Sequence, residues 1–393
     1  MSLSIEKIKA NHCCVGCGIC ESAFDDCVVK LDENGYYDLN YGNENIDQQF
    51  SKLCPVVNNT YITTEIWGNM VSSYYGYSTD HTIRYEGSSG GVLTSIARHL
   101  LETKKVEAVI QVRASITDPI INEVVVSKTV DEVLQCAGSR YAPVKMLSHI
   151  NDLLEIGKTY CFIGKPCDVR ALNNYFELYP KKKEQVPYKL SFFCAGVPSL
   201  NATKEILEEF ANNSTLKKFD YRGNGWPGFT TASYEDGTIN KMHYNDSWGK
   251  ILGRSLHTGC RFCVDGVGMG ADISCGDAWY CDEKGYPLFD EAEGRNVILV
   301  RSHKGETVIK EMVLKEKLVA KPLDHVESEL RNIQPYQYKR KAMMYTKIKI
   351  LKLCGKYTPT YGSVLRKWNR QIPHSEKISY ASGTLKRILK KRI

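Results

Sequence analysis

The chain has 393 residues, of which 42% are hydrophobic and 25% charged, a composition typical of a globular protein with room for two or three domains. No apolar run reaches the roughly 20 residues of a membrane-spanning helix, and the N-terminal MSLSIEKIKANH lacks the apolar segment of a secretory signal. We therefore expect a cytoplasmic protein, in which fifteen cysteines indicate metal or redox chemistry rather than a disulfide framework.

Charge is distributed unevenly along the chain. The whole sequence carries a net charge of +7, yet residues 336–393 contain sixteen Lys or Arg and one acid, Glu376. The preceding part is therefore acidic overall, and we expect the two parts to meet different partners. We divide the sequence into a cysteine-rich module (1–65), a region of alternating strands and helices (66–335) and a basic helical tail (336–393).

The first predicted element is a metal-binding loop in HCCVGCGICES. Cys14, Cys17 and Cys20 follow the spacing C-x2-C-x2-C, with which bacterial ferredoxins hold three corners of a 4Fe–4S cluster. Structural zinc more often uses paired C-x2-C knuckles, and zinc stays the alternative metal. A Cys-Pro pair at Cys54 is expected to provide the fourth ligand, and Cys27 is its rival.

The middle region contains three segments in which strands alternate with helices: EGSSGGVLTSIARHLLETKKVEAVIQVR, KTYCFIGKPCDVRALNNYF and YKLSFFCAGVPSLNATKEILEEFANN. This alternation predicts an α/β domain with a mainly parallel sheet. Ligands of such sheets bind outside the carboxyl ends of the strands. Cys167 and Cys194 follow two of the predicted strands, so we expect both at the ligand-binding edge.

The loop SSGG precedes the first of these helices and is a candidate phosphate site. Ser88 or Ser89 could cap the helix, Gly90 and Gly91 would let a ligand approach the backbone, and the helix N-terminus offers free N–H groups. The alternative interpretation is a tight turn with a serine cap.

A second set of cysteines is more dispersed. Cys260 and Cys263 form a C-x2-C pair and, together with Cys167 and Cys194, would provide four ligands for a second 4Fe–4S cluster. The alternatives are a zinc pair or plain buried thiols. The remaining cysteines of this region are expected to be core or incidental residues: Cys136, Cys161, Cys275, Cys281 and Cys354.

Six motifs occur here in a fixed order: SSGGVLTSIARHLL, AGSRYAPV, GKPCDVRAL, FFCAGVPS, YRGNGWPG and CRFCVDGVGMGADISCGDAW. Together they resemble the coenzyme F420 hydrogenase/dehydrogenase beta-subunit family over about residues 10–335. That family also includes 7-hydroxymethyl chlorophyll a reductase and proteins of surface-polysaccharide gene clusters. The resemblance implies an iron–sulfur flavoprotein with an FAD-binding α/β domain and an N-terminal ferredoxin-like module.

The resemblance also assigns residues. It matches Cys14, Cys17, Cys20 and Cys54 to one cluster in the N-terminal module, where many relatives have cysteines for two, and it matches Cys260 and Cys263 to the family's C-x2-C pair. It places FAD contacts in three loops: Ser88, Ser89, Gly90, Gly91 and Thr94; Ser139, Arg140 and Tyr141; Gly164, Lys165 and Pro166. Asp272 and Asp277 stand in the matched segment after the C-x2-C pair.

These parts suggest a path for electrons from a low-potential donor, ferredoxin or a deazaflavin, through the two 4Fe–4S clusters to FAD and on to an organic substrate. Arg222 and Trp226 of YRGNGWPG are candidates for the flavin face, although this motif could equally be a structural turn. His243 and His257 are candidate proton donors because histidine titrates near neutral pH; each could also be an ordinary histidine.

The tail segment TLKRILKKRI places Leu385, Ile388 and Leu389 on one face of a basic amphipathic helix, a pattern that can lie on anionic membranes. A reductase held at a membrane could act on a lipid-linked or nucleotide sugar. A solvated tail, or one that docks an acidic ferredoxin, is the alternative, and no nucleic-acid recognition motif accompanies the charge. The competing function is an electron-transfer beta subunit of a coenzyme F420-linked complex. Substrate, donor and oligomeric state stay open, with a homodimer as one option.

Overall fold

The cysteine-rich N-terminal part has an apolar cluster of its own and also packs against the core of the central region through Cys17, Ile19 and Leu53. The structure, a computed structural model, describes residues 5–42, 47–58, 62–283 and 286–389. The module contains α1 (Ile5–Ala10), α2 (Ile19–Ala23), β1 (Cys27–Leu31), β2 (Tyr37–Tyr41) and α3 (Asp47–Leu53). The two strands pair antiparallel. Gly16 and Gly18 have positive φ angles of 64° and 80°, which let the backbone between α1 and α2 curl around the cysteines.

A single eight-stranded sheet forms the centre of the molecule. Its strands are β3 (Ser72–Ser78), β4 (Ala108–Ala114), β5 (Asn122–Ser127), β6 (Tyr160–Gly164), β7 (Tyr188–Phe192), β11 (Ile273–Asp277), β12 (Asn296–Val300) and β13 (Leu318–Pro322), in the order β13-β3-β12-β11-β7-β6-β4-β5. Between β7 and β11 the chain forms a separate antiparallel sheet of β8 (Leu216–Asp220), β9 (Phe229–Tyr234) and β10 (Ile239–His243).

The prediction of a mainly parallel central sheet is wrong, because the sheet is mixed. Only β4, β6, β7 and β11 run parallel to one another, whereas β5, β12, β3 and β13 pair antiparallel. The α/β class itself is correct. The difference arises where a strand returns through a loop, as from β4 to β5, since an antiparallel return needs no crossover helix.

Helices cover both faces of the parallel centre, so these strands bury side chains on both sides. Val109 and Cys161 face α5 (Val92–Glu102) and α12 (His303–Leu314), whereas Ile110 and Phe162 face α8 (Pro166–Leu178). The other helices and helical turns of this region are α4 (His81–Glu86), α6 (Val130–Leu134), α7 (Ile150–Leu153), α9 (Leu200–Phe210), α10 (Tyr244–Asp246), α11 (Thr258–Arg261), a π-helical turn (Ser247–Ile251) and two 3-10 turns (Pro180–Gln185, Leu252–Arg254).

The basic C-terminal part is helical, as predicted, and it packs onto the rest of the protein. It follows α13 (Val326–Ile333) and consists of α14 (Pro335–Ala342), α15 (Met344–Leu353), α16 (Val364–Arg370) and α17 (His374–Leu389). Trp368 is fully buried, and its indole N–H donates to the carbonyl of Thr64 over 2.9 Å. Met343, Met344 and Leu351 extend the same apolar core. The segment is therefore an integral layer of the fold.

The predicted apolar face of the last helix is divided in the structure. Ile388 packs against the core, whereas Leu385 and Leu389 are exposed. Only part of this predicted apolar face is therefore accessible, because the helix uses the rest to dock on α15. Among the described residues no helix is both long and apolar enough to cross a membrane.

Candidate cofactor sites

A cavity of about 260 Å³ opens at the carboxyl ends of the parallel strands, where ligands of such sheets bind. Three predicted flavin loops converge on it. Nine of their eleven residues line the cavity: Ser88, Ser89, Gly91, Thr94, Ser139, Arg140, Tyr141, Gly164 and Lys165. Gly90 and Pro166 do not appear in this lining. The structure therefore brings together loops that lie up to about eighty residues apart in the sequence.

The SSGG loop packs so closely against its neighbours that its two glycines leave no room for a side chain. A Cβ at Gly90 would come within 2.8 Å of Asn296 Oδ1, and one at Gly91 within 2.6 Å of the Ile83 carbonyl. The expected serine cap is wrong: the N-cap of α5 is Gly91, while Ser88 and Ser89 donate to backbone carbonyls. The first turn of α5 nevertheless faces the cavity, so its backbone N–H groups and helix dipole favour an anion there.

The second predicted flavin loop is held rigidly by Arg140. Its guanidinium donates to Asn122 Oδ1 over 2.8 Å and to the carbonyls of Phe219 and Pro119 over 2.7 and 2.6 Å. Burial lowers the pKa of Arg140. Because these bonds engage the guanidinium on every nitrogen, Arg140 shapes the cavity wall and fixes the neighbouring Tyr141.

The third loop places a buried ion pair beneath the cavity. Lys165 Nζ lies 2.7 Å from Asp168 Oδ2, and the same carboxylate oxygen accepts the backbone N–H of Lys165 over 3.0 Å. Asp168 Oδ1 is buried without a hydrogen-bond partner. Burial raises the pKa of Asp168, although Lys165 opposes the rise. An unsatisfied acceptor beside the cavity fits a ligand that donates a hydrogen bond.

The YRGNGWPG motif forms a buried network around one aspartate. Arg222 binds Asp277 through two hydrogen bonds of 2.8 and 3.0 Å, and the Trp226 indole donates to Asp277 Oδ1 over 2.8 Å. Arg222 and Asp277 line the cavity, whereas Trp226 is absent from the lining and stacks on Trp279. Of this motif, the structure thus brings Arg222 to the cavity.

The two candidate histidines lie away from the cavity lining. His243 ends β10 and its ring accepts the backbone N–H of Asn245. His257 is buried, and its Nδ1 accepts the N–H of Gly259 at the start of α11. Burial lowers the pKa of His257 to about 4, so its ring is neutral near pH 7 and serves as a helix cap.

The N-terminal cysteines lie near one another, with Cys17, Cys20 and Cys54 buried and Cys14 partly exposed. Burial raises the pKa of Cys14 to about 12 and that of Cys54 to about 11. The pKa of Cys17 rises because of burial first and then because of the nearby thiols of Cys14 and Cys54. A hydrogen bond to Cys27 raises the pKa of Cys20, which also lies near Cys14 and Cys17. Cys54 thus interacts electrostatically with Cys14 and Cys17, whereas Cys27 forms a hydrogen bond with Cys20.

The second set also meets in space. The pKa of Cys167 is raised by burial, with further contributions from Cys194 and Cys260. Burial raises the pKa of Cys194 to about 12, and Cys260 and Cys263 add to the rise. Cys194 also lines the cavity. Four cysteines from three segments, namely the turns after β6 and β7 and the loop that begins at α11, therefore lie together next to the candidate flavin site.

Sulfur atoms of both sets accept backbone hydrogen bonds, which oppose the larger effect of burial on the thiol pKa. Backbone N–H groups donate to Cys14, Cys17 and Cys54 and to Cys194 and Cys260, an arrangement that stabilises sulfur bearing negative charge. Over the described ranges no three His, Cys, Asp or Glu side chains meet closely enough to hold a single metal ion. Each set offers four cysteines, which is the number and type of ligand that a 4Fe–4S cluster takes.

Arg170 connects the two sets and was not predicted. It lies on α8, one turn after Cys167, and is almost completely buried. Its guanidinium donates to the carbonyl of Pro55, next to Cys54, over 2.6 Å and lies 3.5 Å from Asp265. Its position in GKPCDVRAL was visible in the sequence, but its partners come from segments more than ninety residues away.

The family models and the related proteins that this chain matches all point to the same family. The model described as coenzyme F420 hydrogenase/dehydrogenase, beta subunit N-term, matches residues 73–151, and the model of the C terminus of the same subunit matches residues 157–326. The coenzyme F420 hydrogenase subunit beta of Methanococcus voltae is 25% identical over 286 residues, covering 70% of this chain and 92% of that protein.

Two further similarities are more limited. The coenzyme F420-dependent sulfite reductase of Methanocaldococcus jannaschii is 22% identical over 359 residues, covering 86% of this chain but 51% of that protein, so the chain spans about half its length. A chain in the structure of the F420-reducing NiFe hydrogenase complex from Methanosarcina barkeri superposes with a TM-score of 0.57 at 21% identity, over 78% of this chain and 100% of that chain. This likeness supports the fold.

Proposed function

The chain belongs to the coenzyme F420 hydrogenase/dehydrogenase beta-subunit family, and from this premise we propose that it is an iron–sulfur flavoprotein that moves electrons between coenzyme F420 and a partner redox protein. The observation that supports this proposal most directly is the position of Cys194. This residue lines the cavity and also lies near Cys167, Cys260 and Cys263. Flavin and cluster would thus be neighbours without an intervening domain.

The residues of the cavity would divide the work of holding FAD. The first turn of α5 presents N–H groups to the diphosphate. Arg140 and Arg222 fix the opposite wall, and Asp168 offers its free carboxylate oxygen to a hydrogen-bond donor. FAD, when bound, supplies the exchange between hydride transfer and single-electron transfer.

The two cysteine sets would continue the path away from the flavin. Cys167, Cys194, Cys260 and Cys263 would hold one 4Fe–4S cluster, and Cys14, Cys17, Cys20 and Cys54 the other. Arg170 ties the first set to the second through Pro55 and Asp265. Its buried positive charge lowers the pKa of Cys54, against the larger effect of burial. A cation at this place would stabilise negative charge on the N-terminal set.

A sugar substrate, our first expectation from the sequence, finds no support in the comparisons. The relatives described above are named for coenzyme F420 chemistry, which favours the competing function of an electron-transfer subunit. We therefore propose a deazaflavin as the hydride partner and a redox protein as the electron partner. The exposed Leu385 and Leu389 of α17, among lysines and arginines, would still allow contact with an anionic membrane surface.

Anaerobic purification with quantification of flavin and iron tests the proposal. One FAD and about eight irons per chain are expected from two 4Fe–4S clusters. Reduced coenzyme F420 should bleach the flavin absorbance at a rate that NADPH does not match. A protein with flavin and iron that reacts with NADPH or a nucleotide sugar, and is inert to coenzyme F420, would contradict the deazaflavin assignment.

A further inference from the structure

The C-terminal helices lie directly against the second cysteine set. The matched family models end at residue 326, so α14, α15 and the loop before α16 lie beyond them. Sequence gives no reason for these helices to touch the cluster ligands, because the C-x2-C pair is about eighty residues away. In the structure, however, their polar side chains turn inward onto the loop that carries Cys260 and Cys263.

Three side chains of this segment bind three consecutive carbonyls of the C-x2-C loop. Arg340 donates to the carbonyl of Cys260 over 2.5 Å. Lys347 donates to the carbonyl of Arg261 over 2.7 Å. The Tyr361 hydroxyl donates to the carbonyl of Phe262 over 2.6 Å. The three backbone carbonyls that lie between the Cys260 and Cys263 side chains along the loop are thereby bound by the C-terminal segment.

The same segment also holds the Cys194 turn. Arg340 donates to the carbonyls of Cys194 and Ala195 over 3.2 and 3.0 Å, and the Gln337 amide donates to the Cys194 carbonyl over 3.0 Å. One guanidinium therefore bridges the two turns that present Cys194 and Cys260. Arg340 can do this because its planar fork has five donors.

We propose that α14 to Tyr361 is a built-in clamp of the second cluster site, in which Arg340 positions the ligands and favours the cluster's reduced state. The inference rests on the proposed function, since it requires a cluster at Cys167, Cys194, Cys260 and Cys263. It explains the basic C-terminal segment as part of the electron path, apart from any role at a membrane.

The positive charge of Arg340 is the physical reason why it would favour the reduced state of the cluster. Uptake of one electron makes a cluster more negative by one charge, and a fixed cation nearby stabilises that product. Burial lowers the pKa of both Lys341 and Lys347 to about 7, so neither is a dependable cation at neutral pH. The guanidinium of Arg340 stays protonated. Its loss should therefore make the second cluster harder to reduce.

Redox titration of the purified holoprotein tests this inference, with dithionite as reductant and electron paramagnetic resonance as readout. Replacing Arg340 by Gln removes the charge and the fork, and Arg340→Lys retains the charge. Lys352→Gln, an exposed position on α15, is the control for net charge. Through an effective dielectric of about 20, a unit charge about 12 Å away changes an equilibrium constant about tenfold. Arg340 binds the carbonyls of Cys194 and Cys260 and is therefore closer, so Arg340→Gln should lower the reduced-to-oxidised ratio of one cluster at least about tenfold at fixed potential. This corresponds to a midpoint at least about 59 mV more negative for a one-electron couple.

The outcomes separate the clamp from the proposed function. Loss of about four irons from Arg340→Gln with FAD retained, and their retention in Arg340→Lys, would also support the clamp. Eight irons with both midpoints unchanged would overturn the clamp alone. Only four irons in the wild-type protein would overturn the second cluster and the clamp with it. Loss of both flavin and iron in Arg340→Gln and in the milder Tyr361→Phe would show a general folding role, and the clamp would be rejected.

Discussion

Substitution of Asp277 by Asn should strongly destabilise the wall of the flavin cavity. Asp277 is the shared acceptor for Arg222 and Trp226, with three contacts of 2.8 to 3.0 Å. An asparagine has the same size, so packing is preserved. It leaves the guanidinium of Arg222, whose side chain is 3% exposed, without a counter-charge.

The magnitude follows from burial. Removing one partner of a buried ion pair costs about 3–5 kcal/mol because the other charge is left uncompensated. The Asp277 side chain is 21% exposed, so some solvent reaches the pair and the lower end of this range applies. We expect a loss of about 3 kcal/mol in the free energy of unfolding, a large part of the roughly 5–15 kcal/mol of a typical domain.

Urea denaturation followed by tryptophan fluorescence measures this loss, with and without excess FAD. Asp220→Asn is the matched control, because Asp220 pairs with a largely exposed Lys218 over 2.8 Å. An exposed pair contributes at most about 1 kcal/mol, so this variant should unfold almost as the wild type does. Flavin affinity should fall in Asp277→Asn, since Arg222 and Asp277 both line the cavity.

An equal effect of the two substitutions would refute the reasoning. If Asp277→Asn lost less than about 1 kcal/mol, Arg222 would have found solvent or another acceptor, and the network would not be the buried support that its contacts indicate. A loss of stability with unchanged flavin affinity would separate the network from the cofactor site.

Three further predictions concern other parts of the chain. Cys54→Ser should lose about four irons and keep FAD, whereas Cys27→Ser should keep both; the reverse result would make Cys27 the fourth ligand. Below pH 6.5 His257 should destabilise the folded protein, because burial lowers its pKa from 6.5 to about 4 and the unfolded chain binds the proton first. The stability that the neutral ring provides is complete above pH 6.5 and is lost as pH falls towards 4, so His257→Asn, which retains a helix cap, should flatten this part of the pH profile of unfolding. Replacing Leu385 and Leu389 by Ser should reduce binding to anionic liposomes without unfolding α17, since Ile388 still packs on the core; undiminished binding would remove the membrane contact.

The cavity and the two cysteine sets show which features short sequence patterns can predict. Cysteine spacing and strand–helix alternation predict the two cysteine sets, the α/β class and the position of Cys167 and Cys194 at one sheet edge, because parallel strands end together. The three loops of the cavity were expected from the family resemblance. Reasoning from short patterns assigned the helix cap to Ser88 or Ser89. It missed Asn296, whose side chain accepts the N–H of Val92 over 3.3 Å from more than two hundred residues away.

The sequence by itself determined which residue patterns the chain carries: cysteines at ferredoxin spacing, a glycine-rich loop before a helix, and a basic C-terminal segment. Only the tertiary structure decided where the basic segment goes. An amphipathic helix looks the same in sequence whether its face meets a membrane or a protein core, and the choice depends on contacts such as Trp368 with Thr64 or Arg340 with Cys194. These contacts join residues 304 and 146 positions apart, and no periodicity within one segment encodes them.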